Sequence, residues 1–426
     1  MSPDANSLPA ARPRRTAVSG PGLRLVAGTP RRRRLLDTVR PLQISTYAAV
    51  VGVVGTLCAI GLVMVLSASA YTSLQFYGSV WTIFERQVLW MALGALAFGV
   101  TLRVRYDRWR RLRLVLPLVT LVLLMAVLVP GVGVVAGGSS RWIGVGMLRL
   151  QPSELMKLAL AVFAADLLAR RADRLERTGA AVVPLLGLLT VSGVLVLKQP
   201  DMGTALVLAF ITFALLYAGG VPLRPVLKAL AGTAVIGLVV GLAEPYRRAR
   251  LLSFLDPFAH AKGSGYQVVQ SLVGLGSGHL YGLGLGGGRE KWGLLPNAHT
   301  DFIFSVIGEE GGLVGTVLVL ALFGALAWYG LRAATRAPDR FGGLLAVAAT
   351  CWITTQAVIN IGAVIGVLPV TGIPLPFISF GGSSLVITLA AAGILANIAA
   401  HERPPASAAP GRAAPASQAP PRRTRS

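Results

Sequence analysis

Apolar residues along this chain fall into long unbroken blocks, not into the alternating pattern of half-buried strands. Several blocks reach or exceed the roughly 18 residues needed to cross a bilayer. In hydrocarbon every backbone polar group must be satisfied internally, so such blocks are predicted as helices. Ten are read, at residues 47–69, 87–103, 114–130, 152–170, 180–198, 202–220, 223–243, 302–330, 343–367 and 379–400. The second, third and sixth are short or interrupted. The weak dyad pattern of an outer-membrane barrel is missing. The expected fold class is an all-α integral membrane protein of about ten transmembrane helices, with a long extracytoplasmic loop between helices 7 and 8.

Composition supports the same class. Hydrophobic residues make up 54% of the chain and charged residues 13%, where soluble domains carry about a quarter charged. Residues 1–46 are rich in Arg, Pro, Gly and Ala and have no signal-peptide core, which predicts a disordered basic cytoplasmic tail. Residues 403–426 predict a second such tail, leaving 47–402 as the membrane domain. Cys58 and Cys351 sit inside apolar blocks and read as small hydrophobes, not as a disulfide. The four histidines have no metal-ligand spacing.

A net charge of +23 suggests nucleic acid until its placement is followed. With the N-terminus in the cytoplasm, Arg31–Arg34, the six arginines of 103–113, Arg170, Arg171, Arg174, Arg177, Arg332, Arg336, Arg340 and the C-terminal arginines all fall inside. The outward short loops hold only Arg86, Arg141, Arg149 and Lys198. That is a topology signal, aided by attraction to anionic lipid. No aromatic residues interleave the arginines of the tails, which argues against nucleic acid. The same orientation places residues 244–301 outside as a long loop. Within it, Val268, Val269, Leu272 and Val273 share one helical face and Gln267, Gln270 and Ser271 the other, as in a short helix lying on a membrane surface.

Ionisable residues in or beside apolar blocks need a reason. Asp301 stands where the long loop enters the eighth block, on a stripe with Ser305, Gly308 and Gly312 that should face other helices. From position alone it is either a general base at the water boundary or a carboxylate compensating a helix start. Glu309 and Glu310 lie two turns deeper and need partners or water. Gln151-Pro152-Ser153-Glu154-Leu155-Met156-Lys157 opens the fourth block, with Pro152 suited to the first helical turn and Lys157 spaced to pair with Glu154. At the far end of that block, Asp166 and Arg170 read as a plain ion pair. Pro369–Pro376 and Phe380-Gly381-Gly382-Ser383-Ser384 break the helix on the outward side and leave free N–H groups that suit an anion or a tight turn. Gly282–Gly288 lacks a preceding strand and a Walker lysine, so it is no nucleotide loop, though it offers close approach to a sugar or phosphate. Asp201 reads as a helix-start acid.

Five stretches in order resemble the FtsW/RodA (SEDS) family of peptidoglycan glycosyltransferases. They are Ser140-Arg141-Trp142-Ile143 with Gln151–Lys157; Pro200-Asp201-Met202-Gly203-Thr204; Gly265-Tyr266-Gln267 with Gln270-Ser271; Leu295–Phe304 with Gly308-Glu309-Glu310; and Leu368-Pro369 through Ser384. The resemblance implies polymerisation of lipid II into glycan strands at the outer face of a bacterial cytoplasmic membrane, with both termini cytoplasmic. It implies Asp301 as catalytic base toward the incoming sugar hydroxyl. Substrate contacts are expected from Arg141, Glu154, Lys157, Arg250, Gln267, Gln270, His299, Thr300, Ser383 and Ser384, with Arg141, Lys157 and Arg250 stabilising the leaving pyrophosphate. The implied partners are lipid II, the undecaprenyl-pyrophosphate-linked glycan, a class B penicillin-binding protein transpeptidase and divisome proteins, with no nucleic acid. No cofactor is required by the resemblance, and a divalent cation is compatible with it.

Asn297 departs from the glutamate common in the family, and Leu283 from a basic residue. The long tails and the Lys291-Trp292…Asn297-Ala298-His299 segment are more like the division type than the elongation type. Two rivals stay open: a lipid II flippase, kept alive by Glu309, Glu310 and the broken loop after the ninth block, and a non-catalytic scaffold for the transpeptidase.

Overall fold

The computed structural model describes residues 45–136, 139–146, 148–172, 179–243, 248–249 and 253–403. Arg250 and nearly all of both tails lie outside the described residues. In chain order come α1 (Thr46–Tyr77), α2 (Thr82–Arg103), a 3-10 turn (Tyr106–Leu112) and α3 (Val115–Val127). Three short strands follow, β1 (Val134–Ala136), β2 (Ser139–Val145) and β3 (Leu148–Leu150). Then come α4 (Pro152–Arg170), α5 (Gly179–Lys198), α6 (Met202–Ala218), α7 (Leu223–Ala243), α8 (Tyr266–Ser277), α9 (Ile303–Thr335), α10 (Arg340–Val364) and α11 (Ser383–Ala400). Every predicted apolar block is a helix, and α8 is the predicted short loop helix. By length and composition α1, α2, α9, α10 and α11 suffice to cross a membrane, while α3, α6 and residues 182–198 of α5 are shorter apolar helices.

Several boundaries differ from expectation, two of them for identifiable reasons. The first helix runs on to Tyr77, past residue 69, because Ser69 and Ser73 are buried within the bundle and not at an end. Ser73 Oγ donates to the Ser79 carbonyl and accepts the Ile83 N–H, and Gly78, at φ 73, closes the helix with a bond to the Leu74 carbonyl. The last helix begins at Ser383 and not at 379, because residues 375–380 are bonded elsewhere. The Phe380 N–H donates to the His299 carbonyl (3.0 Å), and Ser379 Oγ donates to the Thr300 carbonyl (2.6 Å) while accepting the Leu375 N–H (2.8 Å). The hairpin β1–β2–β3, antiparallel throughout, was not foreseen. Its strands of three and seven residues are too short for a period to show.

The α10 and α11 spans are the centre of the bundle, 72% and 83% buried along their apolar windows, against 17% for α2. Small residues make the closest approaches. Gly94 meets Leu389, Gly330 meets Thr350, and Gly61 lies against the main chain of Phe377 and Ile378. At the arginine-rich end, buried Asp166 pairs with Arg170 (2.6 Å) as expected, but also with Arg113 (3.4 Å) and Arg110 (3.5 Å). Asn397 closes the same end, accepting from the Tyr106 N–H (3.0 Å) and donating to the Leu102 carbonyl (2.6 Å).

The eighth block is not one continuous helix. At Gly312 the backbone leaves the helical region (φ 64, ψ −161). Such a break frees carbonyls and N–H groups that an apolar surrounding cannot satisfy. Main chain from residues 279–284 supplies them. Leu283 and Gly284 donate to the carbonyls of Glu309 (2.9 Å) and Glu310 (3.1 Å), and Leu313 and Val314 donate to the carbonyls of His279 (3.0 Å) and Leu280 (3.2 Å). Within the glycine run, Gly282 is thus taken up by the helix break, while Gly284 and Gly286 have open space around them. At Gly282, φ is 80 and a Cβ would overlap the Glu310 carbonyl, so the glycine serves the helix break. Gly276, in α8, has open space around it. Replacing Gly282 by Ala should therefore lower the thermal midpoint by an amount equivalent to about 2–4 kcal/mol. Gly276→Ala should raise stability by about 0.5–1 kcal/mol. Thermal unfolding of the two detergent-solubilised variants checks both.

Candidate active site

The Gln151–Lys157 stretch opens α4 with Pro152 in the first turn, as its spacing predicted. Lys157, one turn further in, has no exposed surface. A buried ammonium needs partners at close range. It has Glu154 at 2.7 Å and Gln356 Oε1 on α10 at 2.7 Å, and lies 4.9 Å from the centre of the Trp352 ring. Glu154 does not turn back to cap the helix start. Its Oε2, the oxygen 2.7 Å from Lys157 Nζ, also accepts the Ser384 hydroxyl (3.0 Å) at the head of α11. Ser383 Oγ accepts the Gln151 N–H (3.0 Å). Four residues expected at the site, Glu154, Lys157, Ser383 and Ser384, thus meet.

Asp301 lies just before α9, in a turn, not inside the helix. The turn is set by Asn297, at φ 60, whose carbonyl accepts the N–H groups of Thr300 (3.1 Å) and Phe302 (3.3 Å). Asn tolerates this left-handed conformation better than most residues, which suits the departure from glutamate there. The next segment runs against the 369–384 loop. His299 and Thr300 are tied to Phe380 and Ser379, the His299 ring stands 5.9 Å from Phe380, and Asn360 on α10 donates to both the Asp301 and Ile373 carbonyls, each at 2.7 Å. A Cβ at Gly372 would lie 3.6 Å from Asp301 Oδ2, so bare backbone faces the carboxylate. Three buried polar atoms around this segment, His299 Nδ1, Asn360 Oδ1 and Thr371 Oγ1, have no hydrogen-bond partner among the described residues.

Asp201 caps α6 through the Thr204 N–H (3.1 Å), as a helix-start acid should. It also accepts from Gln151 Nε2 (3.0 Å) and Ser153 Oγ (3.2 Å), which joins α6 to the same cluster. Arg141, on β2, donates to the carbonyls of Gln199 (3.0 Å) and Pro200 beside that cap. Gln267 and Gln270 are half-buried on α8. The face assignment for that helix needs correcting at two positions. Ser271 is buried, with its hydroxyl on the Val364 carbonyl (2.8 Å) and its own carbonyl accepting Ser305 Oγ (2.8 Å), whereas Val273 is exposed. The Ser305–Gly308 part of the small stripe therefore faces α8.

The paired acids of α9 have partners that no spacing rule announced. Glu310 binds Lys291 Nζ (2.6 Å) and Ser67 Oγ of α1 (2.7 Å). Glu309 accepts the N–H groups of Arg289 (2.6 Å) and Glu290 (3.3 Å). All but Ser67 lie in the loop that also fills the α9 break. Among the described residues, no three His, Cys, Asp or Glu side chains gather as a metal-binding group.

Residues 48–404 match the FtsW/RodA/SpoVE family model, described as a cell cycle protein. The chain belongs to the FtsW/RodA/SpoVE family. It is 42% identical over 387 residues to the "Probable peptidoglycan glycosyltransferase FtsW" of Mycobacterium tuberculosis, covering 90% of this chain and 72% of that one. It is 41% identical over 349 residues to the "Stage V sporulation protein E" of Bacillus subtilis, covering 82% and 95%. Among solved structures it is similar to a chain of a peptidoglycan synthase complex studied for the coordination of polymerization and crosslinking (TM-score 0.68, 30% identity, 82% and 96% covered). It is similar also to the rod shape determining protein RodA of Thermus thermophilus (TM-score 0.61, 29% identity, 83% and 96% covered). As a member of this family with five spans of sufficient length and apolarity, it is a multi-pass membrane protein.

Two loop groups of this family member titrate away from their ordinary values. Burial pushes the His299 imidazole down to about 4, so it stays neutral beside Asp301. Burial, and then the charge of Glu309, pushes the Glu290 carboxyl up to about 7. In an unfolded chain Glu290 would ionise from its ordinary value of 4.5. Its contribution to stability is therefore complete below about 4.5 and is lost as pH rises through 7. Glu290→Gln should then match wild type in thermal midpoint near pH 4.5 and exceed it by about 1–3 kcal/mol equivalent near pH 8. His299 acts with the opposite sign, withdrawing stability as pH falls from 6.5 toward 4. His299→Gln should flatten that acid limb in the same unfolding series.

Proposed function

We propose that this chain is a peptidoglycan glycosyltransferase of the division type, polymerising lipid II at the outer face of a bacterial cytoplasmic membrane. The observation that carries this reading is the meeting of one loop carboxylate, Asp301, with the glycine- and serine-rich 369–384 loop, in a chain whose relatives are named peptidoglycan glycosyltransferases. In the reaction, the 4-hydroxyl oxygen of the incoming sugar attacks the anomeric carbon of the growing glycan. The bond from that carbon to the lipid pyrophosphate breaks, and the electron pair leaves with the phosphate. Asp301 takes the hydroxyl proton, an assistance usually worth ~10²–10⁴ in rate. Arg141, Arg250, Lys157 and the N–H groups opening α11 are the proposed supports for the leaving charge.

The orientation with both termini cytoplasmic places this site outside, where flipped lipid II is available. The partner class is a penicillin-binding protein transpeptidase, in keeping with the synthase complex to which the chain is structurally similar. The tails at 1–46 and 403–426 are proposed as disordered cytoplasmic segments. The flippase alternative leaned on Glu309, Glu310 and the broken loop after the ninth block. Both carboxylates are occupied by the loop that fills the α9 break, which takes the two acids out of that argument.

Purified protein with its transpeptidase partner, incubated with lipid II, should yield glycan polymer on a length-resolving gel. Asp301→Asn, folded to the same thermal midpoint, should lose ~10²-fold or more of the rate. Equal polymer from both would remove Asp301 from the mechanism. No polymer from either, with the partner present, would favour the flippase or scaffold.

A further inference from the structure

Gln356 and Asn360 stand four residues apart on α10, so they share one face one turn apart. Both are buried. Gln356 Oε1 accepts from Lys157 Nζ (2.7 Å) and Trp352 Nε1 (3.0 Å), and its Nε2 donates to the Pro374 carbonyl (3.0 Å). Asn360 Nδ2 donates to the carbonyls of Asp301 and Ile373, both at 2.7 Å. Asp301, Ile373 and Pro374 lie outside helix and strand, so no ladder serves their carbonyls and the two amides supply the donors. One face of one helix thereby holds the Lys157 ammonium, the loop at 373–374 and the main chain of Asp301.

We propose that Asn360 and Gln356 are positioning residues for glycosyl transfer: Asn360 sets where the Asp301 carboxylate stands by holding its carbonyl, and Gln356 holds the Lys157 ammonium to the same loop. This rests on the glycosyltransferase reading and on Asp301 as its base. A shift of about 1 Å in a reacting group can cost 10²-fold in rate. A purely structural bridging amide exists for comparison at the opposite end, Asn397, which joins Tyr106 and Leu102.

The test measures lipid II polymerisation kinetics and thermal midpoints for wild type, Asp301→Asn, Asn360→Ala, Gln356→Ala and Asn397→Ala. Asn360→Ala and Gln356→Ala should lower kcat by about 10–100-fold while KM stays within about two-fold. Asn397→Ala should lose thermal stability and keep kcat within about two-fold of wild type. Wild-type kcat in Asn360→Ala would overturn the proposal. So would a loss of kcat in Asn397→Ala that matches the Asn360 variant at equal thermal loss. If Asn360→Ala does not fold, Asn360→Asp, of the same size and with fewer donors, takes its place with the same expected split. Failure of the underlying reading looks different: Asp301→Asn would polymerise like wild type, leaving no base for Asn360 to position.

Discussion

A lysine ammonium without exposed surface, inside an apolar helix bundle, constrains most of this architecture. Removing a partner from such a charge costs about 3–5 kcal/mol, so Glu154 and Gln356 are not free to go elsewhere. Each partner then recruits another element. Glu154 draws in Ser384 and with it the head of α11, and Gln356 draws in Pro374 and the loop before it. One turn along α10, Asn360 extends the same face to Asp301. The site is assembled by hydrogen bonds from one buried charge and from one face of α10, across elements more than two hundred residues apart in sequence.

The second organising feature is the break in α9. A helix interrupted at Gly312 has to find backbone partners nearby, and residues 279–284 fit because Gly282 admits the approach. The same excursion brings Arg289, Glu290 and Lys291 against Glu309 and Glu310. Asp301 follows within a dozen residues, so the loop that repairs the helix also delivers the carboxylate to the bundle's end.

Much of this was legible in the chain and some was not, for physical reasons. Long apolar blocks declare their helices because a lipid-facing backbone has no other way to satisfy itself. The Glu154–Lys157 pair was legible because three residues is a helical contact distance. Asp201 and Pro152 were legible as helix-start residues. The break at Gly312 was not, since Gly311-Gly312 inside an apolar run looks like any close-packing site in a span. The partners of Glu309 and Glu310 were hidden because they come from a loop some twenty residues away and from α1. Gln356 and Asn360 gave no signal, as two amides in an apolar block show their use only once the opposing carbonyls are in place. Ser271 was misplaced because hydroxyls are read as outward-facing until a buried carbonyl is found for them.

The central claim is that the buried Glu154–Lys157 pair, besides tying the elements of the site together, is required for glycosyl transfer itself. The direct measurement compares lipid II polymerisation and thermal midpoint in wild type, Lys157→Met and the double variant Glu154→Gln/Lys157→Met. The single variant strands a buried carboxylate and should lose both stability and polymer. The double variant removes both charges, so it should recover most of the stability and still fail to polymerise at more than about a hundredth of the wild-type rate. Polymerisation at the wild-type rate by the stable double variant would contradict the account.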